Sequence, residues 1–164
     1  MLVKGGVAVD DAFVNVADGD ALPHAPVIVS LKRFLAEHDT LVARGTPLGV
    51  RIESAQSPEA LGAHVHELAV VVLVIPAFRD GRAFSWARLL RTRLGYKGEL
   101  RVTGHFLRDQ LAFFVRVGVD AFDLTQNLSL EDFQKALTEI SEVYQPSVDG
   151  RPTIRDLRAA RAKT

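Results

Sequence analysis

Ala69-Val70-Val71-Val72-Leu73-Val74-Ile75 is an unbroken apolar, mostly β-branched run that ends at Pro76. A strand with one wet face alternates polar and apolar residues. A continuous run buries both faces and marks the central strand of a parallel sheet. Working upstream, Leu48 to Glu53 reads as another strand. Ser57-Pro58-Glu59 then supplies a cap, a proline at the first helical position and an early acid before Leu61, Val65 and Leu68. Before it, Val27 to Val29 is short and β-branched, and Ser30 caps a helix whose Leu31, Phe34, Leu35, Leu41 and Val42 keep helical spacing until Gly45. Downstream, Ser85 is expected to cap a helix with Trp86, Leu89, Leu90 and Leu94 on one stripe, closed by Gly95. A strand over Glu99 to Thr103, a helix from Leu107 to Val117 and a short strand over Ala121 to Leu124 follow. Ser129-Leu130-Glu131-Asp132 resembles a capping box opening a helix with Phe133, Leu137 and Ile140 on one face.

Strands alternating with helices demand right-handed crossovers and a mainly parallel sheet, hence an α/β fold, read here as four βα units in a single domain over residues 1–164. Two topologies satisfy this pattern: a doubly wound open sheet, or half of a (βα)8 barrel. Residues 1–22 alternate weakly around Gly5-Gly6 and Asp18-Gly19 and read as an N-terminal hairpin. Residues 146–164 are polar and basic, either a loose tail or a short helix from Thr153 to Ala162. Because a half barrel has open sheet edges, a homodimer is expected.

A chain of 164 residues can bury a core without disulfides. With no cysteine it has no thiol nucleophile, thiolate metal site or iron–sulfur cluster of its own, and no cofactor is expected. The longest apolar run, Leu68 to Phe78, is eleven residues and includes Pro76, too short to span a bilayer. The start lacks a signal-peptide core, so a cytoplasmic protein without membrane contact is expected. Net charge is zero, which argues against nucleic-acid binding.

That neutrality conceals a segregation. From Arg79 to Arg116, eight Arg and one Lys face only Asp80, Glu99 and Asp109, a net +6. Such a segment is suited to an anionic ligand or partner. Ligands of parallel α/β folds sit beyond the carboxyl ends of the strands, which selects Glu53 and Ser54; Arg79, Asp80, Gly81 and Arg82; Gly104, His105, Arg108 and Asp109; and Thr125, Gln126 and Asn127. Backbone N–H groups at the start of the Ser85 helix, with Arg79, Arg82 and Arg108, are expected to hold an oxyanion such as sulfate, sulfite, phosphate or a carboxylate. Gly81 and Gly104 permit close approach to it. His105 with Asp109 is the candidate acid–base pair. Arg88 and Arg91, one turn apart, extend the pocket or form a partner-binding patch. The structural alternative is that Arg79-Asp80 and Arg108-Asp109 are local ion pairs fixing loops. The spacing Arg79-Asp80-x-x-Ala83-Phe84 recurs as Arg108-Asp109-x-x-Ala112-Phe113. His64 and His66 point to different sides of the predicted helix, so no shared metal is expected. GxGxxG, GxxxxGK[ST], HExxH and GxSxG are absent.

The run Phe78-Arg79-Asp80-Gly81-Arg82-Ala83-Phe84-Ser85-Trp86-Ala87-Arg88-Leu89-Leu90-Arg91 closely resembles the bacterial domain-of-unknown-function 934 family. So do Gly95 to Gly104, Arg108-Asp109-Gln110-Leu111 and Gly118-Val119-Asp120-Ala121-Phe122. The resemblance is strongest over residues 47–125. It implies a link to sulfite reduction, because that family is usually encoded beside sulfite reductase and other sulfate-assimilation genes and is often labelled a probable oxidoreductase. His105 stands where the resemblance leads one to expect an acid, and Val117-Gly118-Val119 where it leads one to expect Cys-Gly-Phe. Without cysteine or a dinucleotide fingerprint, an accessory role in sulfate assimilation follows more naturally than the reductase itself. Its arginine-rich face would engage an anionic small molecule or a partner such as sulfite reductase. The alternative is a small cofactor-independent enzyme acting on an anionic metabolite.

Overall fold

The protein is seen in a computed structural model that describes residues 1–124 and 128–162. Its strands are β1 (Leu2–Lys4), β2 (Val7–Val9), β3 (Val14–Asn15), β4 (Val27–Ser30), β5 (Leu48–Ile52), β6 (Val70–Ile75), β7 (Glu99–Gly104) and β8 (Ala121–Asp123). They form one sheet in the order β2-β1-β8-β7-β6-β5-β4-β3. Every neighbouring pair from β3 to β8 is parallel, whereas β1 runs antiparallel to both β8 and β2. The helices are α1 (Leu31–Ala43), α2 (Arg82–Thr92), α3 (Leu111–Arg116), α4 (Leu130–Thr138) and α5 (Ile154–Arg161).

From β3 to β8 the spatial order follows the chain without reversal. Right-handed crossovers then place α1, the helical segment after β5, α2 and α3 on one face, which excludes the doubly wound alternative and gives a half-barrel. Five strand-to-helix steps occur among the described residues rather than four. The second uses a 3-10 helix, Pro58–Glu67, interrupted where Gly62 takes φ 51 and ψ −134.

Connectivity requires the sheet to curl. Eight flat strands at ~4.8 Å spacing would be ~34 Å wide. The two edge strands, β2 and β3, are joined only by residues 10–13, a connection that reaches at most ~19 Å. The N-terminal hairpin expected over residues 1–22 is therefore confined to β1 and β2. The following residues strap across the concave face, and β3 pairs with β4 at the far edge.

Strand alternation divides the core. Val71, Leu73 and Ile75 of β6 join Val50, Ile52, Leu100, Val102 and Phe122 beneath the helices. Val70 and Val72 face the concave side with Ile28 and the strap residue Phe13. The central run is thus buried on both faces, as its composition predicts. On the concave side Gly49 leaves room, since a Cβ there would lie 2.4 Å from Val70 Cγ1 and 2.8 Å from Ile28 Cγ1. Buried Arg101 anchors the strap through Asp11, at 2.6 and 3.2 Å.

Caps fix the helix starts. Ser30 Oγ accepts from the Arg33 N–H at 3.0 Å. Ser129 and Asp132 form the anticipated reciprocal box, and Thr153 with Asp156 forms another at the start of α5. The C-terminal segment is therefore helical over Ile154–Arg161 rather than a loose tail. No helix among the described residues is long and apolar enough to cross a membrane.

Candidate functional site

Parallel strands deliver their exits to one rim, and after β5 and β6 this brings together Ser54, Asp80 and Arg82. Asp80 folds back from the turn after β6, its N–H donating to the Ala77 carbonyl at 2.8 Å. Its Oδ1 accepts from the Arg82 backbone N–H at 3.2 Å and from Arg82 Nε at 2.9 Å, while Oδ2 accepts from Nη2 at 2.7 Å. Arg82 Nη2 also donates to Ser54 Oγ at 3.2 Å. These guanidinium hydrogen bonds hold the Asp80 carboxyl far below its ordinary value of 3.8.

Two expectations are corrected here. α2 begins at Arg82 with Gly81 at its N-cap, so Ser85 lies one turn inside the helix and caps nothing. The Asp80 carboxylate serves the freed N–H instead. It is also the anion at this helix start, so an external oxyanion must displace an internal one to reach Arg82. Asp80→Ala removes the internal anion. Millimolar sulfate is then expected to raise the melting temperature of the variant more than that of the wild type, measured by scanning fluorimetry. An equal rise in both would show that Arg82 is free to take an external anion.

The next exit is built on a glycine. Gly104 ends β7 with φ +105, and a Cβ there would lie 2.3 Å from the Ile75 carbonyl oxygen. The same oxygen accepts the His105 N–H at 2.8 Å, so the two exits approach at a distance no side chain permits. Between them opens a cleft of about 370 Å³ lined by Phe78, Gly104, His105, Phe106, Leu107, Arg108 and Leu128. Gln110 ties its sides together: Oε1 accepts the Leu107 N–H at 2.9 Å and Nε2 donates to the Phe78 carbonyl at 2.8 Å. Sequence reasoning gives Gln110 no role, although a Gln three residues into a helical turn is half of a capping box; apolar Leu107 at the cap conceals it.

Among the described residues, the side chains of His105 and Asp109 make no hydrogen bond or ion pair with each other, and both are exposed. The expected acid–base couple is not assembled. Arg108 is an ion-pair partner of Glu139, just beyond α4. Its sequence echo of Arg79 therefore has no structural counterpart, because Arg79 is exposed and its guanidinium has no partner among the described residues.

Arg91 corrects the expected arginine patch. Its guanidinium binds the carbonyls of Gly118, Tyr96 and Gly98 at 2.8–2.9 Å and the Asp120 carboxylate at 2.5 Å, leaving 11% of the side chain exposed. It secures the turns flanking β7. Arg88, one turn earlier, stays exposed and without an ion pair among the described residues. It lines a groove of about 410 Å³ with Phe84, Phe113, Arg116 and Pro146. The exit candidates Thr125, Gln126 and Asn127 lie outside the described residues.

The model of the family described as "Bacterial protein of unknown function (DUF934)" matches residues 49–154. The chain belongs to this family. The DUF934 span runs from β5 to the first residue of α5, and so contains both strand exits, the cleft and the +6 segment. The strap and α1 lie outside it. No curated protein compared with the chain matches it.

Proposed function

We propose that this protein is an accessory factor of sulfite reduction that docks an acidic surface of a partner enzyme, sulfite reductase or another enzyme of sulfate assimilation, on an arginine-bearing face that runs from the β6 exit to the groove between α2 and α3. One observation carries the docking: apolar side chains stand exposed beside arginines that have no partner among the described residues. Phe78 is 54% exposed next to Arg79, and Phe113 is 48% exposed in the groove with Arg88. Exposed aromatics flanked by free guanidinium groups are the usual anchors of protein interfaces. The pathway comes from the family resemblance and its gene context.

The alternative, a cofactor-independent enzyme acting on an anionic metabolite, has less support because His105 and Asp109 do not form a couple. A deletion strain is expected to grow poorly on sulfate or sulfite and normally on cysteine. His105→Ala should restore growth, and an Arg79→Glu/Arg88→Glu variant should not. Normal growth of the deletion strain on every sulfur source, with no second copy of the gene, would remove the pathway assignment. Rescue by the arginine variant but not by His105→Ala would transfer the assignment to catalysis.

Self-association belongs to the same reading. The open edges leave Val7 at 57%, Val9 at 37% and Val14 at 46% exposed. A homodimer in cytoplasmic conditions is expected by sedimentation at micromolar concentration. A monomer that shows no concentration dependence would contradict it.

A further inference from the structure

On the outer layer, away from the strand exits, α1 and the 3-10 helix Pro58–Glu67 bring three metal-ligating side chains together. A nitrogen of His38, a nitrogen of His64 and a carboxylate oxygen of Glu67 all lie within 4.8 Å of one another. The Glu67 carboxylate bridges the two imidazoles, with Oε2 2.8 Å from His38 Nε2 and Oε1 2.9 Å from His64 Nδ1. The ring centroids are 4.0 Å apart. Phe34, fully buried, presents its ring to both imidazoles, at 5.3 Å from His38 and 6.5 Å from His64. Tetrahedral zinc, with bonds of about 2.0–2.1 Å, holds its donors ~3.3 Å apart. The two Glu67 contacts, at 2.8 and 2.9 Å, are within about half an ångström of that spacing and all three donors lie within 4.8 Å, on two helical elements packed against a shared wall.

A second, independent observation points the same way. The remaining nitrogen of His38, Nδ1, lies 2.9 Å from Asp39 Oδ1. A metal bound at Nε2 would leave Nδ1–H to donate to Asp39, giving the carboxylate–histidine–metal arrangement that orients zinc ligands. An ordinary surface ion pair has no need of a carboxylate on each side of one imidazole beside a second imidazole.

We propose that His38, His64 and Glu67 form a zinc site, with Asp39 orienting His38 and a fourth position open to solvent. Zinc fits because two imidazole nitrogens and one carboxylate are its customary donors, and no thiolate is required. On binding, His38 Nε2 and His64 Nδ1 must each face the metal bare, so any proton on either nitrogen moves to the other ring nitrogen or to solvent. The metal would clip α1, which lies outside the family match, to a helix within it. His66, the sequence neighbour of His64, plays no part; the true neighbour of His64 is on another helix.

The test uses the full-length, tag-free protein, stripped with EDTA and titrated with zinc chloride by calorimetry, with thermal unfolding in parallel. One zinc per chain and a rise in melting temperature are expected. Asp39→Asn should weaken binding about tenfold. His64→Ala and Glu67→Gln, both at exposed side chains and both checked for folding by circular dichroism, should lose the rise, and His66→Ala should keep it. Absence of binding in the wild type would overturn the proposal. So would a rise that survives in His64→Ala, or one that is lost equally in His66→Ala.

Discussion

Gly104→Ala is expected to destabilise the protein by roughly 3 kcal/mol, as a shift in the denaturant midpoint. Two independent costs coincide at this residue. Its φ of +105 is a backbone conformation that alanine rarely adopts, and the new Cβ would lie 2.3 Å from the Ile75 carbonyl oxygen, a backbone atom that cannot rotate away. Relief would separate β6 from β7 at the cleft and break the His105 N–H bond to the same oxygen. Gly81→Ala is the matched control. It lies on the same rim with φ −81, and a Cβ added there would meet nothing within 4 Å, so a change of only a few tenths of a kcal/mol is expected. Equal effects at the two positions would refute this account of the rim.

Arg101→Ala is expected to cost about 3 kcal/mol and to release the strap. Arg101 is 4% exposed; its guanidinium binds Asp11 at 2.6 and 3.2 Å and Glu99 at 2.8 and 3.0 Å, and lies 5.9 Å from the centroid of Phe13. Its removal leaves Asp11 without its cation. Phe13 then loses the contact that holds it over Ile28, Val70 and Val72. Limited proteolysis reads the local effect: cleavage between Val9 and Val14 should accelerate in the variant well below its melting temperature. Arg101→Lys keeps the charge and loses the two-pronged geometry, so an intermediate effect is expected. A strap as resistant in Arg101→Ala as in the wild type would show that Phe13 packing alone holds it.

Local chemistry is legible in the sequence, and long-range chemistry is not. The run ending at Ile75, the Ser30 cap and the Ser129 box are each decided within a few residues by hydrophobic period or capping geometry. The α/β class follows from their alternation. The strap reads as part of a hairpin because its partners, Arg101 and the concave valines, lie far along the chain. Residue preference assigns the cap to Ser85, whereas the Asp80 carboxylate reaches the Arg82 N–H from outside the helix. Charge count alone makes Arg91 a surface residue. Its guanidinium instead satisfies three turn carbonyls and Asp120, a role set by where Gly95 and Gly118 turn the chain. Strand order locates the exits after β6 and β7 as places, while Gln110, which joins them, and the separation of His105 from Asp109 depend on side-chain direction.

The docking claim is tested most directly by titrating purified sulfite reductase with this protein in an interferometry or calorimetry cell at low and at physiological ionic strength. Saturable binding is expected, weakening as salt rises because free guanidinium groups meet carboxylates near the surface. It should be lost in a folded Phe78→Asp/Arg79→Glu variant and retained in His105→Ala. No binding at low salt, or binding of equal strength by the Phe78→Asp/Arg79→Glu variant, would contradict the account.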